Sequence, residues 1–131
     1  MRQVDVAIIG GGPAGLAAAV ELWKKGVRNL VILEREKKLG GILRQCIHDG
    51  FGLRRFKETL SGPEYAQRFI DMAQELGIPY ITEATVIRIT EDRQVYAAAP
   101  QGMVEIQAKA VILTMGCRER TRGAISIPGN R

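Results

Sequence analysis

A layered α/β domain on a parallel sheet, carrying a small antiparallel three-stranded meander, is the fold class this sequence predicts. Three observations predict it. A β-branched run over residues 4–9 stops at a glycine cluster that opens an amphipathic helix. A second apolar run, residues 30–33, completes a βαβ unit within roughly thirty residues. Beyond residue 85 the apolar period changes to two, which marks short half-buried strands.

Each element has its own local signal. Residues 4–9 read as a buried first strand. In the helix that follows, Leu16, Ala19, Val20 and Trp23 recur at spacings of three and four and form one apolar face. Lys24 and Lys25 suit the negative end of its dipole, and Gly26 suits its C-terminal cap. Residues 36–60 are irregular and rich in glycine and basic side chains, and predict a loop with one short helix. Ser61-Gly62-Pro63-Glu64 then matches a capping box. Ala66, Phe69, Ala73 and Leu76 carry that helix forward to Gly77. A third strand is predicted at 78–81, the meander strands at 85–90, 94–99 and 103–108, and a separate last buried strand at 110–114.

Composition narrows the function classes. The chain has 131 residues, 46% apolar and 25% charged, which fits one folded domain. No apolar run approaches the ~18 residues that span a bilayer, and the N-terminus lacks the long apolar stretch of a signal peptide. Cys46 and Cys117 cannot make a disulfide framework, so a reducing cytoplasm is the expected compartment. The net charge is +5, yet basic residues are interleaved with acids. The one dense basic group is Arg118, Arg120 and Arg122, with few aromatics beside it. Nucleic acid is not an expected partner.

The chemistry lies in Gly10-Gly11-Gly12-Pro13-Ala14-Gly15, a Gly-x-Gly-x-x-Gly spacing between a strand and a helix. Gly10 suits the tight turn off the strand, Gly12 a close backbone approach to a pyrophosphate, and Gly15 close packing of helix on strand. Pro13 fits a first helical turn, where no N–H partner is needed. The helix N-terminus would direct unpaired N–H groups at phosphates. Glu34 lies 24 residues after Gly10, near the ~20 expected for a ribose-binding acid. A carboxylate there accepts both ribose hydroxyls and repels a 2′-phosphate, which disfavours NADP. Strand, loop, helix and acid together predict a Rossmann-like dinucleotide site, and the spacing leaves FAD and NAD both open.

That glycine segment, with Glu34 and Leu39-Gly40-Gly41 behind it, resembles the start of flavoproteins with two dinucleotide-binding domains, similar in outline to the pyridine nucleotide–disulfide reductases. The order of helix, meander and final strand also resembles that superfamily. Leu113-Thr114-Met115-Gly116 stands where it has an Ala-Thr-Gly-like motif, and departs from it. More narrowly, the segment from Gly40 to Gly52 resembles bacterial FAD-dependent oxidoreductases associated with glycerol-3-phosphate dehydrogenase. Gly116-Cys117-Arg118-Glu119-Arg120 and Ile127-Pro128-Gly129-Asn130 are similar to a segment of those proteins and of amine and opine oxidase subunits.

The resemblance implies a bound FAD, with NAD(H) at a second domain, and a partner dehydrogenase subunit. It implies that residues 1–131 form a truncated FAD-binding domain, inactive alone, without the NAD-binding domain and the returning C-terminal FAD segment. It places Gly10, Gly12, Pro13, Ala14 and Gly15 at the pyrophosphate turn, Glu34 at the adenosine ribose and Arg35 beside the adenine. It places Gly41 and Ile42 near the pyrophosphate and ribityl chain, the Val86 backbone at the adenine, and Thr114, Met115 and Gly116 along the cofactor.

No catalytic residue follows from the sequence, and Cys46 and His48 stand as candidates. Cys46 has no second cysteine nearby, so dithiol chemistry is disfavoured; it is either a buried packing residue or a thiol that tunes a flavin. His48 is either a proton relay or a structural hydrogen-bonding residue. Cys46, His48 and Asp49 are too crowded for a metal site, and none is expected. Arg54 and Arg55 face either an anionic ligand or solvent, and Trp23 is expected in the core. A non-catalytic redox-sensing module and an NAD-only dehydrogenase are the rival functions.

Overall fold

The computed structural model describes residues 1–117 and Ser126. The chain runs β1 (Arg2–Ile9), α1 (Pro13–Lys24), β2 (Leu30–Leu33), a 3-10 helix (Gly41–Gln45), β3 (Asp49–Phe51), β4 (Leu60–Ser61), α2 (Gly62–Leu76), β5 (Tyr80–Ile81), β6 (Thr85–Ile89), β7 (Gln94–Ala99) and β8 (Gly102–Leu113). Six strands are hydrogen-bonded in the order β5-β2-β1-β8-β7-β6. The first four are parallel, whereas β8, β7 and β6 form the antiparallel meander.

β1 is the pivot. Its side chains alternate between two cores, because successive residues of a strand point to opposite faces. Val6 and Ile8 join Leu30 and Ile32 against Leu16, Ala19 and Val20 of α1 and Phe69 and Ala73 of α2. Ala7 and Ile9 join Val31 and Leu33 against Val95, Ala97, Ile106 and Ala108 of the meander. Helices, parallel strands and meander are thus three layers. A strand covered on both faces reads as an unbroken apolar run, which is why residues 6–9 and 30–33 show no alternation.

The final strands differ from expectation. The strands expected at 103–108 and 110–114 merge into one strand of twelve residues, β8 (Gly102–Leu113), which stops before Thr114. Its first part pairs with β7 and its later part with β1, overlapping at Ile106 and Gln107. Lys109, which interrupts the apolar pattern, is no turn; its ammonium reaches Asp5 at 3.2 Å from an exposed position. Past Gln107 the side of β8 away from β1 has no strand partner among the described residues.

Other boundaries shift by local causes. β1 begins at Arg2, because β8 pairs with it from there. β5 forms only at Tyr80–Ile81, since the Ile78 N–H is taken by the Ala73 carbonyl at the end of α2. The short helix expected in residues 36–60 is the 3-10 helix. The β3–β4 hairpin was not foreseen, because strands of three and two residues carry no periodicity. It is held by side chains instead: Phe51 and Phe56 pack on Tyr65, with ring centroids 6.1 and 5.7 Å apart, and Tyr65 packs on Phe69 at 5.2 Å. Trp23 is half-buried at the edge of the helical core, with the Arg28 guanidinium 4.7 Å over its ring.

α2 begins as its sequence predicts. The Glu64 N–H donates to Ser61 Oγ at 3.4 Å, and the Ser61 N–H donates to Glu64 Oε1 at 3.0 Å. The Ser61 backbone bond, then its hydroxyl, hold the Glu64 carboxyl below the usual value of 4.5. Ionised Glu64 therefore stabilises the fold above the ordinary carboxylate range, and that contribution is lost as pH falls through its lowered value. Ser61→Ala is expected to cost about 1 kcal/mol, read by urea denaturation. The gap between wild type and Glu64→Ala should close on acidification; a gap that widens would contradict the capping account. No helix among the described residues is long and apolar enough to cross a membrane.

Candidate functional site

Ile9, Leu33 and Leu113 stand level across β2, β1 and β8, so three parallel strands end together. The chain leaves β1 toward β2 on one side, while β8 lies on the other. This makes the carboxyl end of β1 a topological switch point, where open α/β sheets form a crevice.

The turn from β1 to α1 is shaped by contacts that only glycine permits. Gly10 has φ +112°, and a Cβ there would overlap the Thr114 carbonyl. A Cβ on Gly15 would overlap the Gly10 carbonyl oxygen and lie 2.8 Å from Thr114 Oγ1. The Thr114 hydroxyl closes this junction, 3.0 Å from the Ile9 carbonyl and 3.1 Å from that of Gly10. Gly12 is different: a Cβ there would meet only the Gly41 Cα, at 3.7 Å, an ordinary contact. Pro13 starts α1, which has no side-chain cap and no acidic residue in its first turn. The Ala14 and Gly15 N–H groups therefore have no partner within the helix, and no acidic side chain of its own first turn offsets the dipole's positive end.

Glu34 is the only buried charged side chain among the described residues, 6% exposed. Its Oε1 accepts from the Gly11 N–H at 2.9 Å and its Oε2 from the Glu36 N–H at 2.7 Å. The carboxylate ties the glycine turn to the chain leaving β2, and each oxygen keeps accepting capacity for a further donor.

Beside it opens a cleft of about 440 Å³ between the parallel strand ends and β6. Gly10, Glu34, Arg35, Val86 and Met115 come together in its wall. Thr85, Ile87, Arg88 and Ile89 also line it and were missed; their signal was only that they flank Val86 on one short strand. Arg35 is exposed and pairs with Glu36 at 3.5 Å. Gly41 lies against the glycine turn from the other side: its Cβ would sit 3.1 Å from the Gly12 Cα, and the Gly40 N–H donates to the Gly11 carbonyl at 2.8 Å. Ile42 follows with its side chain exposed, and Gly116, beyond β8, is exposed as well.

The two catalytic candidates do not line this cleft. Cys46 is only half-buried, which corrects the expectation of a buried packing thiol; the end of a short 3-10 helix cannot enclose it. Its S–H donates to the Ile42 carbonyl at 3.6 Å. His48 is exposed, with its ring 5.3 Å from that of Phe51. It makes no side-chain hydrogen bond among the described residues. Cys117 is exposed, Arg54 and Arg55 are exposed, and Arg118, Arg120 and Arg122 lie outside the described residues. A second cleft of about 410 Å³ lies against α2, lined by Lys37, Lys38 and Arg44. Its cations would attract an anion, but it has neither the glycine turn nor the free helix end.

The family model for pyridine nucleotide-disulphide oxidoreductases matches residues 4–130. Hydrogen cyanide synthase subunit HcnB of Pseudomonas protegens is 32% identical over 97% of this chain and 27% of its own length. Thioredoxin reductase of Helicobacter pylori is 29% identical over 92% of this chain and 38% of its own. Among solved structures, L-proline dehydrogenase from P. horikoshii superposes with a TM-score of 0.73 at 27% identity, over 87% of this chain and 22% of that one. The chain thus spans well under half the length of the relatives it matches. On this match, its layered α/β fold and its glycine turn, the chain belongs to the pyridine nucleotide-disulphide oxidoreductase family.

Proposed function

We propose that the crevice at the end of β1 holds the ADP part of FAD, and that the protein acts in an FAD-dependent oxidoreductase. The observation that carries this reading is the position of Glu34, buried between a helix end with no side-chain cap and the cleft that β6 lines. The turn through Gly10 and Pro13 brings the Gly12, Ala14 and Gly15 N–H groups to the pyrophosphate, and Gly12 gives it a Cβ-free surface. Glu34 accepts the ribose hydroxyls, and its charge excludes a 2′-phosphate. Arg35 flanks the adenine, to which the Val86 backbone offers its polar groups. Gly41 and Ile42 face the pyrophosphate and ribityl chain, and Thr114, Met115 and Gly116 run along the cofactor. FAD, when bound, supplies the redox chemistry, and this chain's residues bind and orient it.

In this reading residues 1–131 are the FAD-binding unit of a longer flavoprotein, inactive without the rest. NAD(H) binds a second domain, and electrons pass onward to a substrate or a partner subunit in the cytoplasm. The name of HcnB as a synthase subunit supports a multi-subunit setting. The likeness of residues 40–52 to oxidoreductases associated with glycerol-3-phosphate dehydrogenase supports a dehydrogenase partner. The side of β8 past Gln107 that has no strand partner among the described residues suits addition of a further strand.

Parallel equilibrium titrations with FAD, NADH and ADP test the proposal. FAD binding with a perturbed flavin spectrum is expected. A preference for NADH over FAD would favour an NAD-only dehydrogenase, and FAD binding by a full-length protein that never oxidises NADH would favour a sensor.

A further inference from the structure

Gly62, the first residue of α2, takes no part in the site described above, yet it is buried against the segment that carries Gly41. A Cβ there would overlap the carbonyl oxygens of Leu43 and Cys46 and lie 2.7 Å from the Cys46 Cβ. Its N–H donates to the Cys46 carbonyl at 2.8 Å. The C-terminal end of the 3-10 helix therefore sits directly on the first turn of α2. The other end of that helix begins at Gly41, whose backbone abuts Gly12. A 3-10 helix rises about 2 Å per residue, so these five residues form a stiff strut of roughly 10 Å. One end rests on α2 and the other on the glycine turn.

We propose that Gly62 is a positioning residue of the dinucleotide site. Because it lacks a side chain, the strut seats closely on α2, and this sets the gap between Gly41 and Gly12. The capping box at Ser61 and Glu64 holds the same turn, so the helix start is a rigid seat rather than a fraying end. Adding a methyl group at Gly62 forces the Leu43 and Cys46 carbonyls away and moves Gly41 with them. The consequence for binding rests on the proposed cofactor reading; the positioning itself does not.

The experiment has one readout for each part. In the cofactor-free protein, Gly62→Ala is expected to shift the Gly12 and Gly41 amide resonances. Gly77→Ala, at the far end of α2, strains a residue with φ +74° but has nothing within 4 Å of its added Cβ, and should leave them in place. Binding follows the same pattern: Gly62→Ala should weaken FAD on the order of tenfold. It should alter adenosine, which has no phosphate and fills only the end of the site near Glu34, by no more than about twofold. Unmoved Gly12 and Gly41 amides would overturn the proposal, as would equal weakening of both ligands. Shifted amides in a protein whose wild type ignores FAD would uphold the positioning role and defeat the cofactor assignment. Should Gly62→Ala fail to fold, Ser61→Ala frays the same turn and must shift the Gly41 amide; an unmoved resonance there also overturns the proposal.

Discussion

Gly15→Ala is expected to destabilise the domain by about 3 kcal/mol or more, whereas Gly12→Ala should leave it folded but weaken its grip on a dinucleotide. The two substitutions add the same methyl group three residues apart. At Gly15 that methyl overlaps the Gly10 carbonyl and crowds Thr114 Oγ1, so α1 must lift from the junction of β1 and β8. Main-chain atoms in a closed junction cannot move aside as a flexible side chain does. At Gly12 the methyl meets only Gly41, at 3.7 Å, and otherwise projects into open space. That space is where the proposed pyrophosphate approaches. Urea denaturation and FAD titration of both variants check the contrast. A Gly15→Ala protein within about 0.5 kcal/mol of wild type would refute the packing argument. A Gly12→Ala protein that binds FAD unchanged would refute the close approach.

Glu34→Gln is the second large effect, and it acts on stability and binding together. The substitution keeps shape and removes charge. Both carboxylate oxygens now accept from backbone N–H groups, of Gly11 and of Glu36. A carboxamide has one oxygen, so its NH₂ must face one of those donors. Leaving such a buried donor unpaired costs about 1–3 kcal/mol. The ribose hydroxyls lose a charged acceptor as well, and FAD affinity should fall on the order of tenfold to a hundredfold. Paired urea and FAD titrations measure both terms. Unchanged affinity in a destabilised protein would make Glu34 a tether for the glycine turn and nothing more.

How much of this was legible beforehand follows from where each signal resides. The glycine turn, α1 and the capping box of α2 are specified by adjacent residues, and they form where their local chemistry places them. Glu34 was marked by its distance from Gly10, but not its bonds to Gly11 and Glu36, which exist only once β1 and β2 lie side by side. The β3–β4 hairpin escaped notice because ring packing among Phe51, Phe56, Tyr65 and Phe69 holds it, and such contacts leave no period in the sequence. β8 was divided in two because a strand that exchanges β7 for β1 midway also changes which of its faces is covered. The contribution of β6 to the cleft was visible only at Val86, since Thr85, Arg88 and their neighbours become a wall through tertiary placement alone. Gly62 looked like part of a capping box and nothing else, because its crowding comes from carbonyls nearly twenty residues earlier in the chain.

The central claim is that an ADP moiety lies across the end of β1, and mapping ADP onto assigned backbone amide resonances tests it most directly. Shifts are expected to concentrate at Gly11, Gly12, Ala14, Glu36 and Val86, with little change at Gln67, Gln74 and Tyr80, which line the cleft beside α2. Shifts confined to that second cleft, with the glycine turn unmoved, would contradict it.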